Sequence, residues 1–123
     1  LMPVPEGITD LFQALDNEDI EVFCGFLHED CQFIFGNDPP VEGSSSIGEA
    51  IQSFYRAIEG THHEIHETFI TPETAIVRGR VTYTEQNGST LTVPFVNVLE
   101  FEAGRIGTYQ IYVDNHELTP SES

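Results

Sequence analysis

From residue 61 to residue 114 the chain alternates apolar and polar positions almost without a break, punctuated by Asn87-Gly88 and Ala103-Gly104. Alternation at period two marks strands with one buried face. Asn-Gly between two such runs signals a hairpin, because both residues tolerate the positive φ of a tight turn. Ala103-Gly104 reads as a second hairpin of similar kind. The pattern predicts four long strands, over 61–70, 75–85, 90–101 and 106–114, joined as an antiparallel meander. Such a sheet has to lay one face on something.

The N-terminal half supplies it. Ile8, Leu11, Phe12 and Leu15 follow the i, i+3, i+4, i+7 spacing of a helix with one buried stripe. Asp16-Asn17 breaks it and offers a cap, while Glu18 and Asp19 suit the positive end of a second helix burying Ile20, Phe23 and Leu27. Cys31 to Phe35 reads as a short strand, stopped by the turn-forming run Gly36-Asn37-Asp38-Pro39-Pro40. Ser46 and Glu49 make a capping box for a third helix with Ile47, Ala50, Ile51, Phe54 and Ile58 on its stripe, ended by Gly60. Helices first and a meander afterwards predict an α+β fold: three helices packed in the concave face of a curved, mostly antiparallel sheet, a cone-like α+β barrel. No linker or composition shift divides the chain, so residues 1–123 are expected to form one domain. Val81, Val96 and Val98 are read as apolar positions on the outer sheet face, and they predict a homodimer through it.

Charge narrows the partners. The chain carries 21 acidic residues against four arginines and no lysine. A surface this negative repels phosphate backbones, which argues against nucleic acid. No apolar run approaches the roughly 18 residues of a membrane span, and no signal-peptide pattern opens the sequence. Cys24 and Cys31 match no metal or redox spacing. They read as buried free thiols, which fits the cytoplasm.

Three segments carry a family resemblance: "ALDNEDIEVFCGFLHEDCQF", "VEGSSSIGEAI" and "VPFVNVLEFEAGRIGTYQIYVD". With the element order they resemble the nuclear-transport-factor-2-like superfamily, over about Leu11 to Leu118. That superfamily includes ketosteroid isomerases, limonene-epoxide hydrolases, scytalone dehydratase and the SnoaL-like polyketide cyclases. The resemblance implies a cone whose open end admits a small apolar ligand. It does not carry over the best-known chemistries. Where ketosteroid isomerases place an oxyanion-hole tyrosine and a proton-shuttling aspartate, this chain has Leu11 and Phe35. Their second oxyanion-hole acid is matched by Asn97. Where the epoxide hydrolases place a water-positioning tyrosine and asparagine, it has Phe33 and Phe35. Their catalytic aspartates are matched by Arg80 and Ile111, and only the arginine between them is kept, as Arg78. Without carboxylates there, neither mechanism operates. His63 and Asn97 resemble a histidine and an asparagine of scytalone dehydratase. The same alignments imply that Arg78, Arg80, Val93, Phe95, Asn97, Tyr109, Ile111 and Val113 face inward.

These residues weigh out as follows. In a strand, His62 and His66 stand ~13 Å apart, at about 3.3 Å per residue, so no metal site is expected. His63 shares parity with Ile65 and Phe69; it is either a proton-transfer residue or a core histidine bonded to backbone. Arg78 and Arg80, if inward, need partners: a substrate carboxylate or enolate, or a network with Glu64, Glu67 or Glu100. Asn97, an amide between valines, is the expected polar centre of the pocket, with Tyr109, Arg78, Phe35, Phe95 and Ile111 around it. Asp114 is an acid or base, or a cap for the turn before His116. Two functions stay open. One is an isomerase, lyase or cyclase acting on a small apolar carbonyl compound without a cofactor, with His63 or Asp114 moving the proton. The other is a non-catalytic domain that binds a hydrophobic ligand or a partner protein.

Overall fold

A computed structural model describes residues 7–114. Helices α1 (Ile8–Asp16), α2 (Ile20–Gly25) and α3 (Ser44–Ala57) pack against a six-stranded sheet. Its strands are β1 (Leu27–Phe35), β2 (Val41–Glu42), β3 (Gly60–Ile70), β4 (Thr74–Thr84), β5 (Thr90–Glu102) and β6 (Arg105–Val113), in spatial order β2-β1-β6-β5-β4-β3. Every neighbouring pair is antiparallel except β1 and β6, which run parallel. The α+β class read from the sequence is therefore the observed one. No helix among the described residues is long and apolar enough to cross a membrane.

The helices form where their apolar stripes can be buried. α1 buries Ile8, Leu11, Phe12, Ala14 and Leu15. α2 is capped by Asp19, whose side chain accepts the Val22 N–H at 3.3 Å, and it buries Phe23. It is shorter than its pattern predicts. Leu27, expected on that helix, opens β1 instead, where it pairs with Ile106 of β6. Leu27 is buried in either arrangement, so periodicity alone could not choose between them. Cys31 accordingly lies inside β1 rather than at its start.

Two local signals resolve differently from their reading. α3 begins at Ser44, capped by Gly43 at φ 93° with no side-chain cap hydrogen bond, so the Ser46–Glu49 capping box does not form. A positive φ is cheap only for glycine, and it turns the chain out of β2 straight into the helix. Between β4 and β5, Gly88 alone has positive φ, at 91°. Asn87 instead uses its side chain, accepting from the Ser89 N–H at 2.9 Å and the Ser89 hydroxyl at 2.6 Å. The tight two-residue turn lies at Ala103-Gly104, with φ of 52° and 80°.

Which residues face the helices is set by β3 and β4. On β4, Ala75, Val77, Val81 and Tyr83 are buried, whereas Ile76, Arg78 and Arg80 are exposed. Val81 thus belongs to the core and not to the outer face. On β3, Ile65 faces Gly79 and Glu67 faces Arg78, so one extra residue bulges between them and reverses the parity. His63 and Ile65 stay on the inner side, while Phe69 is turned out and is 54% exposed. On the outer face the register aligns Phe69, Ile76 and Val98 in one row and Arg78, Val96 and Tyr112 in the next.

Gly79 lets the sheet bend at this bulge. A side-chain carbon on it would lie 1.9 Å from the Glu64 backbone oxygen and 2.9 Å from the Glu64 carbonyl carbon. Both atoms belong to backbone, so the clash cannot be relieved by rotating a side chain. Gly79→Ala is expected to cost at least about 3 kcal/mol of stability by this overpacking. Gly25→Ala, where nothing lies within 4 Å, should be neutral or gain about 0.4–1 kcal/mol. Denaturant melts of the two variants check this; equal stability would show that Gly79 does not set the curvature.

Candidate functional site: an aromatic cavity with an Asp-His pair

Between the concave face of the sheet and α3 lies a cavity of ≈ 220 Å³. Its walls are mainly apolar. β1 contributes Phe33 and Phe35, the following loop Asp38 and Pro39, β2 Val41, and α3 contributes Ala50, Ile51, Phe54 and Tyr55. From the sheet come Thr61 and His63, then Val81 and Tyr83, then Phe95 and Asn97, and last Tyr109 and Ile111. Phe33 stacks obliquely on Tyr109 with ring centroids 5.2 Å apart, and Phe35 meets Phe54 at 6.0 Å.

Two polar groupings interrupt this lining. The first joins the C-terminal end of α1 to β3. Asp16, the last residue of α1, accepts the His63 backbone N–H at 2.8 Å and holds His63 Nδ1 at 2.6 Å. An ionised carboxylate only accepts, so the ring proton sits on Nδ1 and leaves Nε2 as the base nitrogen. The His63 side chain is 13% exposed and that of Asp16 19%. Thr61 Oγ donates to the same Asp16 oxygen at 3.2 Å. Tyr55 O–H donates to the Leu15 carbonyl at 2.7 Å, which leaves its oxygen to accept from Thr61 at 3.0 Å. Thr61 has one proton, so it serves either Asp16 or Tyr55 at any moment. Phe12 and Phe95 flank the imidazole, with centroids 5.2 and 5.4 Å from it. Helix, aromatic walls and hydrogen bonds together fix the orientation of His63.

The second grouping is Asn97 with Tyr109. Asn97 is 2% exposed, and its Nδ2 donates to the Tyr109 hydroxyl at 3.4 Å. Its Oδ1 is buried without a hydrogen-bond partner among the described residues. An amide acceptor left bare in this way costs of the order of 1–3 kcal/mol, so a ligand donor that reaches it through a small shift of the cavity wall gains by binding. Burial drives the Tyr109 phenol far above its usual range, raises Tyr55 likewise, and pushes Tyr83 up to about 12. All three hydroxyls therefore stay neutral near physiological pH. Burial also raises the Cys31 thiol to about 12, which leaves it unreactive, and it lies outside the cavity wall.

Six of the residues singled out from the sequence line the cavity: His63, Asn97, Tyr109, Phe35, Phe95 and Ile111. Arg78 does not. It lies on the outer face, paired through its Nε with Glu67, because the inward-facing positions of β4 are the odd-numbered ones. Arg80 shares that outer face and is exposed. Asp114 follows the end of β6, exposed and away from the cavity lining. His116, the turn it was read as capping, lies outside the described residues. His62 and His66 face solvent, the first 3.9 Å from Asp16 and the second 3.3 Å from Glu64. The residue missed was Asp16. Among 21 acids it looked like a helix terminator, and its partner lies 47 positions away. Tyr55 was also missed, although its position next to Phe54 on α3 turns it toward the same cavity.

Known structures share this frame. TerC co-crystallised with polyporic acid superposes with a TM-score of 0.83 at 21% identity, covering 95% of this chain and 98% of that one. An NTF2-like protein of unknown function from Burkholderia pseudomallei gives 0.85 at 20% identity, covering 96% and 95%. A protein with a ketosteroid isomerase-like fold from Catenulispora acidiphila, in complex with trimethylamine, gives 0.82 at 15% identity, covering 94% and 88%. Identities this low establish a shared fold and leave the chemistry to the residues. Curated protein sequences gave no match. The sequence itself matches a family over residues 8–108, from the first turn of α1 into β6, and so takes in both polar groupings apart from Tyr109: the chain belongs to the SnoaL-like domain family.

Proposed function

We propose that the cavity transfers a proton on a small apolar carbonyl compound, with His63 as the base and acid and the Asn97–Tyr109 pair bonding the developing enolate or enol oxygen. The observation that carries this reading is the 2.6 Å contact between His63 Nδ1 and Asp16 inside an aromatic wall. A carboxylate on one ring nitrogen stabilises the imidazolium that forms when the other takes a proton, and it holds the ring still meanwhile. Asn97 and Tyr109 supply hydroxyl and amide groups in a water-poor setting, where bonds to developing charge are strongest. The reaction class is isomerisation, dehydration or ring closure. Asp114 and Arg78, outside the cavity, have no part in it. The ligands crystallised with TerC and with the Catenulispora protein agree with a small-molecule site. A binder without catalysis is the second reading, and the unpartnered Asn97 oxygen serves it equally well.

We also propose that two chains pair through the outer sheet face, where Phe69, Ile76 and Tyr112 are exposed. Val96 and Val98 continue that surface. A single strip on a two-fold axis is self-complementary, which suits a homodimer. Unpaired Cys24 and Cys31 fit a reducing compartment, the cytoplasm in this reading.

Two experiments check these proposals. The protein should speed deuterium exchange at the α-carbon of simple cyclic ketones in heavy water, followed by NMR. His63→Gln should slow that exchange about 10²-fold or more, and Asp16→Asn should slow it too, with folding retained in both. Exchange as fast in His63→Gln as in the unaltered protein would remove His63 from the chemistry. Light scattering at micromolar concentration should give twice the chain mass, and Ile76→Arg should halve it. A one-chain mass before mutation would contradict the dimer.

A further inference from the structure

The cavity also states what can enter it. We infer that its ligand is a compound of one ring, two at most, carrying a hydroxyl or an enolisable carbonyl and no anionic group. The inference rests on the cavity being the ligand site, as proposed above, and not on catalysis.

Charge gives the first argument. The chain has four cationic side chains and all four, Arg56, Arg78, Arg80 and Arg105, are exposed. None lines the cavity, where the one charged wall residue among those described is Asp38, and Asp16 stands just behind His63. The formal net charge of −17 adds a repulsive field around the opening. A carboxylate or phosphate would lose its hydration and meet no guanidinium or ammonium in return. The fork that Arg78 could have offered is turned to the outer face and held by Glu67.

Size is the second. An apolar cavity of about 150 Å³ accommodates benzene, and this one measures ≈ 220 Å³. A substituted six-membered ring or a fused pair fits that volume; a four-ring skeleton does not. Phe33 and Phe35 fill the wall at β1, which is part of the reason the space is short.

Hydrogen bonding is the third. Asn97 Oδ1 is a buried acceptor with no donor among the described residues, and His63 has Nε2 to offer as a second acceptor. Oxygen and nitrogen of an amide are interchangeable in shape. Turned over, Asn97 would accept from Tyr109 and point its NH₂ at the ligand. A hydroxyl satisfies both arrangements, because it donates to the oxygen and accepts from the nitrogen. A saturated carbonyl satisfies only the second, but its enol satisfies both. Proton transfer at the α-carbon makes that enol.

Four probes and one pair of variants decide the matter, read by calorimetry or by ligand-observed NMR on the full chain. Phenol should bind. Benzoate should bind at least about tenfold more weakly, since it carries a charge with no partner. Estradiol, a phenol on four rings, should not compete. In Asn97→Leu the ratio of phenol to toluene affinity should fall about tenfold, the worth of one buried hydrogen bond. Tyr109→Phe serves as the second variant should Asn97→Leu fail to fold. Benzoate binding as tightly as phenol would overturn the charge assignment. Estradiol displacing phenol would overturn the size limit, and an unchanged phenol-to-toluene ratio would overturn the hydroxyl. Phenol binding without any ketone exchange would keep this inference and remove the catalytic reading.

Discussion

The contact between Asp16 and His63 ties the helical layer to the sheet at the place where the ligand would sit. Asp16 ends α1 and His63 lies on β3, the edge strand at the far end of the sheet from β1 and β2. Around them, Tyr55 of α3 bonds to the end of α1 and to Thr61 of β3, so three elements meet in one hydrogen-bond cluster. Each buried polar atom there has a neighbour, which is what lets a carboxylate and an imidazole stay inside an apolar wall at tolerable cost. The bend in β3 is the other half of this arrangement. Without room at Gly79 for the Glu64 carbonyl, β3 could not curl back toward α1, and His63 would lie on an open sheet.

The site divides its polar work between two ends. In the proposed reaction His63 with Asp16 handles protons, while Asn97 with Tyr109 presents a neutral amide and phenol. Keeping the second pair uncharged matters in a chain with a net charge of −17, because an acid at position 97 would add one more buried anion to satisfy. Asn97 donates or accepts without holding a titratable proton, so its contribution does not vary with pH. The inner positions of β1 carry phenylalanine at 33 and 35, and these fill space rather than move protons. The chemistry available at this cavity therefore differs from that of the ketosteroid isomerases and epoxide hydrolases, although the fold is shared.

Much of this was legible in the sequence, and the failures have physical causes. Strand alternation on β5 put Phe95, Asn97 and Leu99 on one face, and all three are buried. The same alternation on β4 would have put Val77, Val81 and Tyr83 inside and Arg78 outside, as observed. The resemblance to the ketosteroid isomerases and epoxide hydrolases implies the opposite orientation, because the match at Arg78 is one of residue type and not of geometry. The extra residue between Ile65 and Glu67 has no sequence mark, so strict parity groups Phe69 with His63 although the bulge turns it to the other face. Asp16 was hidden by abundance: in an acid-rich chain, one carboxylate at a helix end carries no local signal, and only the fold brings β3 across to it.

The central claim is that Asp16 fixes the tautomer of His63 so that the nitrogen left for the cavity is a base. Nitrogen-15 NMR of the imidazole in the neutral form measures this directly. The account predicts a proton on Nδ1 and a bare Nε2 in the unaltered protein, with that preference weakened in Asp16→Asn. A neutral His63 carrying its proton on Nε2 would contradict it, because the ring could then neither bond Asp16 as described nor take a proton from a ligand through the nitrogen assigned here.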